Sequence, residues 1–155
     1  KILQAGRPHE IYYHPRHEFV AKLFGMMNVF NGVVKGGQVE IPLGRIAAHD
    51  LEDGSKVEVL VRPEGVILEI DGKPGSPVEV ISTHLLGHDN IVRVRLDGTD
   101  GIGGQEPGQE LTVRIHHTFE PELSQRITAG LDPEYAFVFP LDEGNFAISQ
   151  SEAAQ

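Results

Sequence analysis

The stretch Val57–Ile70 reads VEVLVRPEGVILEI and places two apolar, largely β-branched runs on either side of Arg62-Pro63-Glu64. Such runs predict two buried strands. Pro63 lacks an N–H group and cannot lie inside a central strand. Arg62 and Glu64 are costly to bury unless they are paired or hydrogen-bonded. The stretch therefore predicts a turn between two strands. The charges of the turn either stabilise the internal structure or form a surface for a partner, and we favour the first interpretation.

The chain from Met26 onward repeats this β pattern. The run Val92–Leu96 alternates apolar and polar residues, as strands with one buried face do. Turn formers separate the predicted strands, which are Val29–Val34, Gln38–Ile41, Lys56–Arg62, Val66–Ile70, Val78–His84, Ile91–Leu96, Glu110–His116, Tyr135–Phe139 and Phe146–Ile148. His117–Asp132 is predicted to form a short helix or a long excursion. Many short strands predict a mainly β fold, either a small barrel or a pair of half-barrels.

Residues 1–25 differ in kind from the rest of the chain. Ile2-Leu3 predicts the end of a strand, and Pro8 suits the first turn of a helix that ends before Pro15. A second short helix carries four apolar residues on one face, namely Phe19, Val20, Leu23 and Phe24. Because such short helices do not fold alone, this face is expected to pack on another part of the protein.

The charge is unevenly distributed along the chain. Residues 1–25 contain four basic and two acidic residues, a net charge of +2, and the remaining 9 basic and 21 acidic residues give −12, which together make the −10 of the whole chain. A surface this acidic repels phosphate backbones and disfavours nucleic-acid binding. The absence of cysteine excludes disulfides and thiolate metal sites, and it is compatible with a reducing compartment.

The chemistry of nucleotide, metal and acyl-transfer sites is missing from the sequence. Asp100–Gly104 has the glycines of a phosphate-binding loop but no lysine, and the motif G-x-x-x-x-G-K-[ST] does not occur. The adjacent His116 and His117 point to opposite faces of a strand, and no His-x-x-x-His lies on a convincing helix. No G-x-S-x-G motif is present. We therefore predict no catalytic residues, no metal site and no cofactor site in this chain.

Two stretches together resemble the C-terminal part of ABC-transporter ATP-binding proteins of the importer class. Residues 1–34, KILQAGRPHEIYYHPRHEFVAKLFGMMNVFNGVV, resemble the family sequence in which G-x-I-x-Q-x-G leads to P-x-E-I-Y-x-x-P and F-V-A-x-F-[IL]-G-x-x-N. Val59–Val66, VLVRPEGV, resembles the family motif [LV]-x-[LV]-R-P-E-x-[LV]. The occurrence of both motifs in this order and at this spacing is specific. Gly65 departs from the family, which has Asp or Asn after R-P-E.

The resemblance implies a division of the chain into three parts. Residues 1–25 would be the tail of the nucleotide-binding domain, residues 26–148 the transport-associated OB (TOBE) domain, and residues 149–155 a polar tail. The implied fold is an OB-like TOBE β-barrel or two half-barrels after a short helical segment. The family's Walker and signature motifs lie upstream of such a segment, so the parent protein would bind ATP and magnesium while this part binds no cofactor.

The implied function is that of a non-catalytic regulatory and dimer-supporting domain of an ABC import ATPase. Its expected partners are the ATPase domain of the same chain, a second ATPase subunit in a homodimer and the membrane permease subunits. The expected location is cytoplasmic, on the inner face of the plasma membrane through the permease. The candidate structural or interface residues are Arg62, Pro63, Glu64, Phe19, Val20, Leu23 and Phe24.

Two other functions are weighed against this one. The first is a sensor domain of the same transporter that binds a small ligand, either an oxyanion or another ion. The acidity of residues 26–155 favours a cationic ligand, and of the two cations considered, ferric iron is preferred to a polyamine. The second is a free-standing OB-fold binder of nucleic acid, which would need a basic groove with stacking aromatics. The acidic charge and the 6% aromatic content disfavour it.

Overall fold

The computed structural model describes residues 1–70, 75–97, 108–117, 119–121 and 126–141. Two short helices come first, α1 (Pro8–Tyr13) and α2 (Glu18–Lys22). Ten strands follow within the described ranges, β1 (Asn28–Lys35), β2 (Gln38–Ile41), β3 (Gly44–Ala47), β4 (Lys56–Val61), β5 (Val66–Ile70), β6 (Ser76–Leu86), β7 (Asp89–Leu96), β8 (Glu110–Ile115), β9 (Ile127–Leu131) and β10 (Ala136–Pro140). None of the helices in these ranges is long and apolar enough to cross a membrane.

The strands form two antiparallel five-stranded sheets that exchange a strand. The first sheet has the order β10-β4-β1-β2-β3 and the second has the order β5-β9-β6-β7-β8. Each half of the chain therefore sends its fifth strand to the sheet of the other half. The fold is mainly β, as predicted, and the two curled sheets correspond to two half-barrels around one core.

The core lies between the two sheets. Val57, Val59 and Val61 of β4 face it from the first sheet, and Val92 and Val94 of β7 face it from the second; all five are fully buried. The alternation that predicted β7 is thus confirmed. Burial of these side chains supplies the main apolar contribution to stability.

The two sheets are joined where two 3₁₀ turns cross. One turn (Pro63–Gly65) connects β4 to β5, and the other (Pro133–Tyr135) connects β9 to β10. The backbone N–H of Arg62 donates to the carbonyl of Tyr135 at 2.9 Å, and the N–H of Asp132 donates to the carbonyl of Gly65 at 2.9 Å. Each turn therefore holds the other. A Cβ on Gly65 would lie 2.5 Å from the Cβ of Tyr135, so the crossing needs glycine there.

The structure corrects several sequence-based predictions. The helix or excursion predicted over His117–Asp132 is wrong for its last residues, because Ile127–Leu131 pairs with β5 on one side and β6 on the other. The short strand β3 was not predicted. Ile2-Leu3 forms no strand, since no described strand pairs with it. Other strand ends differ by one or two residues, and Phe146–Ile148 and residues 149–155 lie outside the described ranges.

Candidate interface between the helical segment and the β-sheets

Arg62 is buried at the end of β4, with 2% of its surface exposed. Its Nη2 donates to the backbone carbonyl of Tyr12 at 2.9 Å, and its Nη1 lies 3.6 Å from the sulfur of Met27. The guanidinium lies 3.9 Å from the ring centroid of Tyr12, 5.2 Å from that of Phe137 and 5.8 Å from that of Phe24. Cation–π contacts of this kind strengthen when the cation is desolvated. Burial lowers the pKa of Arg62, and the neighbouring Tyr12 and Glu64 oppose that shift.

Glu64 binds the other end of the same tyrosine. The hydroxyl of Tyr12 donates to Oε1 of Glu64. Burial, and then this hydrogen bond, raise the pKa of Tyr12 to about 12. Pro63 occupies the first position of the 3₁₀ turn between the two charged residues, where its fixed φ suits the turn and its missing N–H is not needed. Arg62 thus binds the backbone carbonyl of Tyr12 in α1, and Glu64 binds the Tyr12 hydroxyl. In the described chain, both charged residues have partners within the protein.

A small second apolar cluster lies on the outer side of the first sheet. Leu60 points away from the core-facing valines of β4, yet it is fully buried. Val20 and Ala21 of α2 are buried as well, although neither belongs to the main core. Glu58, on the same face of β4 as Leu60, binds Lys22, so the helical segment, which we define as residues 1–25, lies over this face through α2. Of the predicted apolar helix face, Val20 points inward.

The other three residues of that face remain accessible. Phe19 is 55% exposed, Leu23 is 65% exposed and Phe24 is 45% exposed. Phe24 is partly covered by an edge-on contact with the ring of Tyr12, at 5.6 Å between centroids. Met26, at 72% exposure, extends the apolar surface. Phe19 of α2 and the residues Leu23, Phe24 and Met26 that follow the helix are thus exposed apolar side chains close together in the chain, and we call them the apolar patch.

Polar contacts between α2 and β4 reinforce the attachment. Lys22 Nζ lies 3.0 Å from Oε1 of Glu58 on β4 and 3.9 Å from Oε2 of Glu18. The pKa of Glu18 is raised, first by a hydrogen bond with the Glu58 carboxyl group and then by burial. On the other side of α1, the rings of Tyr13 and Tyr135 lie 5.9 Å apart. The helical segment is thus attached at α1 and α2 alike.

The structure places part of the predicted candidate set at this interface. Arg62, Pro63, Glu64 and Val20 lie in it as predicted candidates. Tyr12 was not singled out. The sequence shows that a buried arginine needs acceptors or aromatic faces, but it does not show that Tyr12 supplies them.

A separate open groove of about 1080 Å³ lies along β6 and β9. Among the described residues, its lining carries three carboxylates, from Glu79, Asp97 and Glu120, and one guanidinium, from Arg126. The apolar part of the lining includes Phe119. Among the residues that the structure describes, no three His, Asp or Glu side chains are grouped closely enough to hold a metal ion.

Comparison with known proteins places the chain among importer subunits. It is 33% identical over 143 residues to the sulfate/thiosulfate import ATP-binding protein of Chromobacterium violaceum, covering 92% of this chain and 39% of the relative. It is 27% identical over 152 residues to the sn-glycerol-3-phosphate import ATP-binding protein of Roseobacter denitrificans, covering 93% and 40%. It is 31% identical over 114 residues to the Fe(3+) ions import ATP-binding protein of Rhodococcus jostii, covering 74% and 32%. The chain therefore spans at most about 40% of the length of these relatives.

A solved structure supports the fold independently. The cytoplasmic molybdate-binding protein ModG, crystallised with molybdate bound, matches with a TM-score of 0.50 at 19% identity, over 72% of this chain and 94% of that one. No protein-family model matches the chain. Sequence and fold agree: the chain is homologous to the C-terminal part of ABC-importer ATP-binding proteins and has their TOBE-type fold.

Proposed function

We propose that this chain is the non-catalytic, regulatory and dimer-supporting C-terminal part of an ABC import ATPase that energises the uptake of a solute. The observation that carries the proposal is the interface at Arg62, Glu64 and Tyr12, which fixes the helical segment on the β-sheets. In a longer parent protein, an ATPase domain continuous with that segment would be rigidly connected to the sheets. Relatives named for three different solutes match the chain, which supports a role that does not depend on the solute.

The apolar patch on α2 is the surface we assign to the ATPase domain of the same chain. Its large side chains, Phe19, Leu23 and Met26, are more than half exposed. Exposed apolar side chains grouped in one short segment are typical of an interaction site. The further partners we propose are a second ATPase subunit, in a homodimer, and the permease subunits, which would hold the assembly at the inner face of the plasma membrane. ATP and magnesium would bind in the upstream domain.

A chimera tests this function. The chain would replace the corresponding part of the sn-glycerol-3-phosphate import ATP-binding protein, and ATP hydrolysis and co-purification with the permease would be measured. We expect the chimera to hydrolyse ATP and to co-purify with the permease. We expect the isolated chain to hydrolyse no ATP. A version that carries Arg62→Met should uncouple hydrolysis from permease binding, and Arg45→Met, at an exposed position, is the matched control. Loss of permease binding in the control chimera, or ATP hydrolysis by the isolated chain, would contradict the proposal.

A second candidate function is ligand sensing, and the groove along β6 and β9 favours it. Among the described lining residues, carboxylates outnumber guanidinium groups, which favours a cationic ligand, and ferric iron or a polyamine is the class to be tested. Thermal unfolding with ferric citrate, spermidine, sulfate, molybdate, phosphate and ATP separates the alternatives. A ligand at about 100 times its Kd should add about 2.7 kcal/mol, a shift of several degrees for a chain of this size. If none of these ligands shifts Tm, ligand sensing is contradicted for all of them, and the dimer-supporting role is the one that remains.

A further inference from the structure

A pair of carboxyl groups lies at the contact between α2 and the first sheet. Glu18 is the first residue of α2, and Glu58 lies on the outer face of β4. Their side chains are only 24% and 13% exposed, so both carboxyl groups are largely withdrawn from solvent. Lys22 Nζ lies 3.0 Å from Oε1 of Glu58 and 3.9 Å from Oε2 of Glu18. One cation is therefore shared by two partly buried carboxyl groups.

The two carboxyl groups are hydrogen-bonded to each other. Such a bond needs a proton on one of them, because an ionised carboxylate can only accept. When both groups are ionised, the bond is lost and two like charges face each other, which favours the uptake of a proton. The hydrogen bond with Glu58, and then burial, raise the pKa of Glu18 above its ordinary value of 4.5, while Lys22 and His17 oppose that shift.

The charged neighbours of this pair lie on the two elements that it joins. Among the described residues, those on α2 and at its N-cap and on the outer face of β4 are His17, Lys22 and Lys56. The strands on either side of β4 place uncharged residues opposite Glu58, namely Asn31 on β1 and Phe139 on β10. The neighbours in α2 and β4 are basic, so a second negative charge at the pair has only these groups to offset it.

The α1 end of the helical segment is attached by groups of a different kind. Arg62 donates to the carbonyl of Tyr12, and the hydroxyl of Tyr12 donates to Glu64. The pKa of Tyr12 is raised to about 12, so this hydroxyl keeps its proton at neutral pH. The two ends of the segment are therefore expected to respond differently to a change in pH.

We propose that Glu18 and Glu58 form a proton-dependent contact, which holds α2 more tightly on β4 when the pair carries a proton than when both carboxyl groups are ionised. A carboxyl group whose pKa is higher in the attached state than in the detached state stabilises the attachment below its ordinary pKa. That contribution is lost as the pH rises through the raised value. Phe19 of the apolar patch lies on α2, so the contact controls how firmly that end of the patch is fixed to the sheet.

Urea unfolding at pH values from 5 to 8 tests the proposal. Every protein would carry His17→Asn, which keeps an acceptor at the N-cap of α2 and removes a side chain type that changes charge in this range. In this reference protein, Glu18→Gln imitates the protonated carboxyl group, and Glu40→Gln, at an exposed position on β2, is the matched control. We expect Glu18→Gln to raise the urea midpoint at pH 8 and this gain to shrink as the pH falls to 5. The effect of Glu40→Gln should not change with pH.

Amide hydrogen exchange locates the effect within the helical segment. The N–H of Leu23 donates to the carbonyl of Phe19 at 3.1 Å, and the N–H of Ile11 in α1 donates to the carbonyl of Arg7 at 3.0 Å. Protection would be expressed relative to an unfolded chain at the same pH. We expect protection at Leu23 to fall about threefold or more between pH 5 and pH 8 in the reference protein, and to stay constant in the Glu18→Gln protein. Protection at Ile11 should stay constant in both.

Three outcomes would overturn the proposal. The same pH dependence with and without Glu18→Gln would show that the carboxyl pair does not control the contact. A urea midpoint that falls on Glu18→Gln at pH 8 would show that the ionised Glu18, paired with Lys22, is the form that stabilises the attachment. An equal loss of protection at Ile11 and Leu23 would show that the whole segment loosens and that the effect does not belong to α2.

Discussion

Replacing Arg62 by methionine tests the contact on which the helical segment depends. Arg62 is 2% exposed, and its guanidinium donates to the Tyr12 carbonyl at 2.9 Å and lies 3.9 Å from the centre of the Tyr12 ring. Methionine keeps a long unbranched side chain, so the substitution removes the charge and the hydrogen bond without opening a large cavity. The matched control is Arg45→Met, where the side chain is exposed on β3.

The magnitude follows from the contacts that are lost. A hydrogen bond from a charged donor contributes about 1.5–3 kcal/mol, and the cation–π contact adds about 0.5–2 kcal/mol. Part of this is offset, because the guanidinium no longer has to be desolvated. We expect a net loss of about 2 kcal/mol, which lowers Tm by roughly 4–8 °C for a chain of this size. The control should stay within about 0.5 kcal/mol of the parent protein.

Two assays read out this change. Urea unfolding gives the free energy of each variant, and limited trypsin cleavage at Arg16 and Lys22 reports local release of the helical segment. We expect faster cleavage at these two sites in the Arg62→Met protein. If its stability and its cleavage pattern match those of Arg45→Met, the guanidinium does not hold the segment and the reasoning fails.

Three further predictions concern the crossing, the tyrosine and a bridge between the sheets. Gly65→Ala should lower the free energy of unfolding in urea by about 1–3 kcal/mol, because its Cβ would meet the Tyr135 Cβ at 2.5 Å. The control is Gly130→Ala, whose Cβ would meet nothing nearer than 4.0 Å, and it should lower that free energy by less than about 1 kcal/mol. Equal losses would contradict the steric argument. The raised pKa of Tyr12, about 12 against an unfolded value of 10.0, means that its stabilisation is present below pH 10 and is lost as the pH rises towards 12. The stability gap between the parent and Tyr12→Phe should therefore narrow across that window, and a constant gap would count against it. The side chain of Asn28 on β1 bridges the two sheets, because it donates to and accepts from the backbone of Thr112 on β8, at 2.8 Å in each case. Asn28→Asp cannot donate and should lower the free energy of unfolding by about 1–3 kcal/mol. An unchanged urea midpoint would show that this bridge contributes nothing to stability.

The strands that alternate cleanly were predictable, and the strands that rely on their neighbours were not. β7 presents Val92, Val94 and Leu96 to the core at a period of two. β9, with the sequence ITAGL, contains Ala129 and Gly130, which are depleted in strands, and forms a strand because β5 and β6 flank it. Tertiary pairing here outweighs local propensity.

The exchange of strands between sheets leaves almost no trace in the sequence. The two crossing turns share only Pro-Glu, at 63–64 and at 133–134. Similarly, the sequence shows that Arg62 and Glu64 need partners, but the partner Tyr12 lies 50 residues upstream of Arg62. No local spacing rule connects the two positions. The cost of burying Arg62 and Glu64 could be predicted from the sequence. Their partner, Tyr12, could not be predicted.

The most direct measurement of the central claim is a double-mutant cycle between Tyr12 and Glu64. The free energies of unfolding of the parent, Tyr12→Phe, Glu64→Met and the double variant would be measured in urea at pH 8. If the helical segment is held through the hydrogen bond from the Tyr12 hydroxyl to Glu64, the two substitutions should couple by about 1–2 kcal/mol. Effects that add to within about 0.3 kcal/mol would contradict the account, since residues that do not interact show additivity of that order.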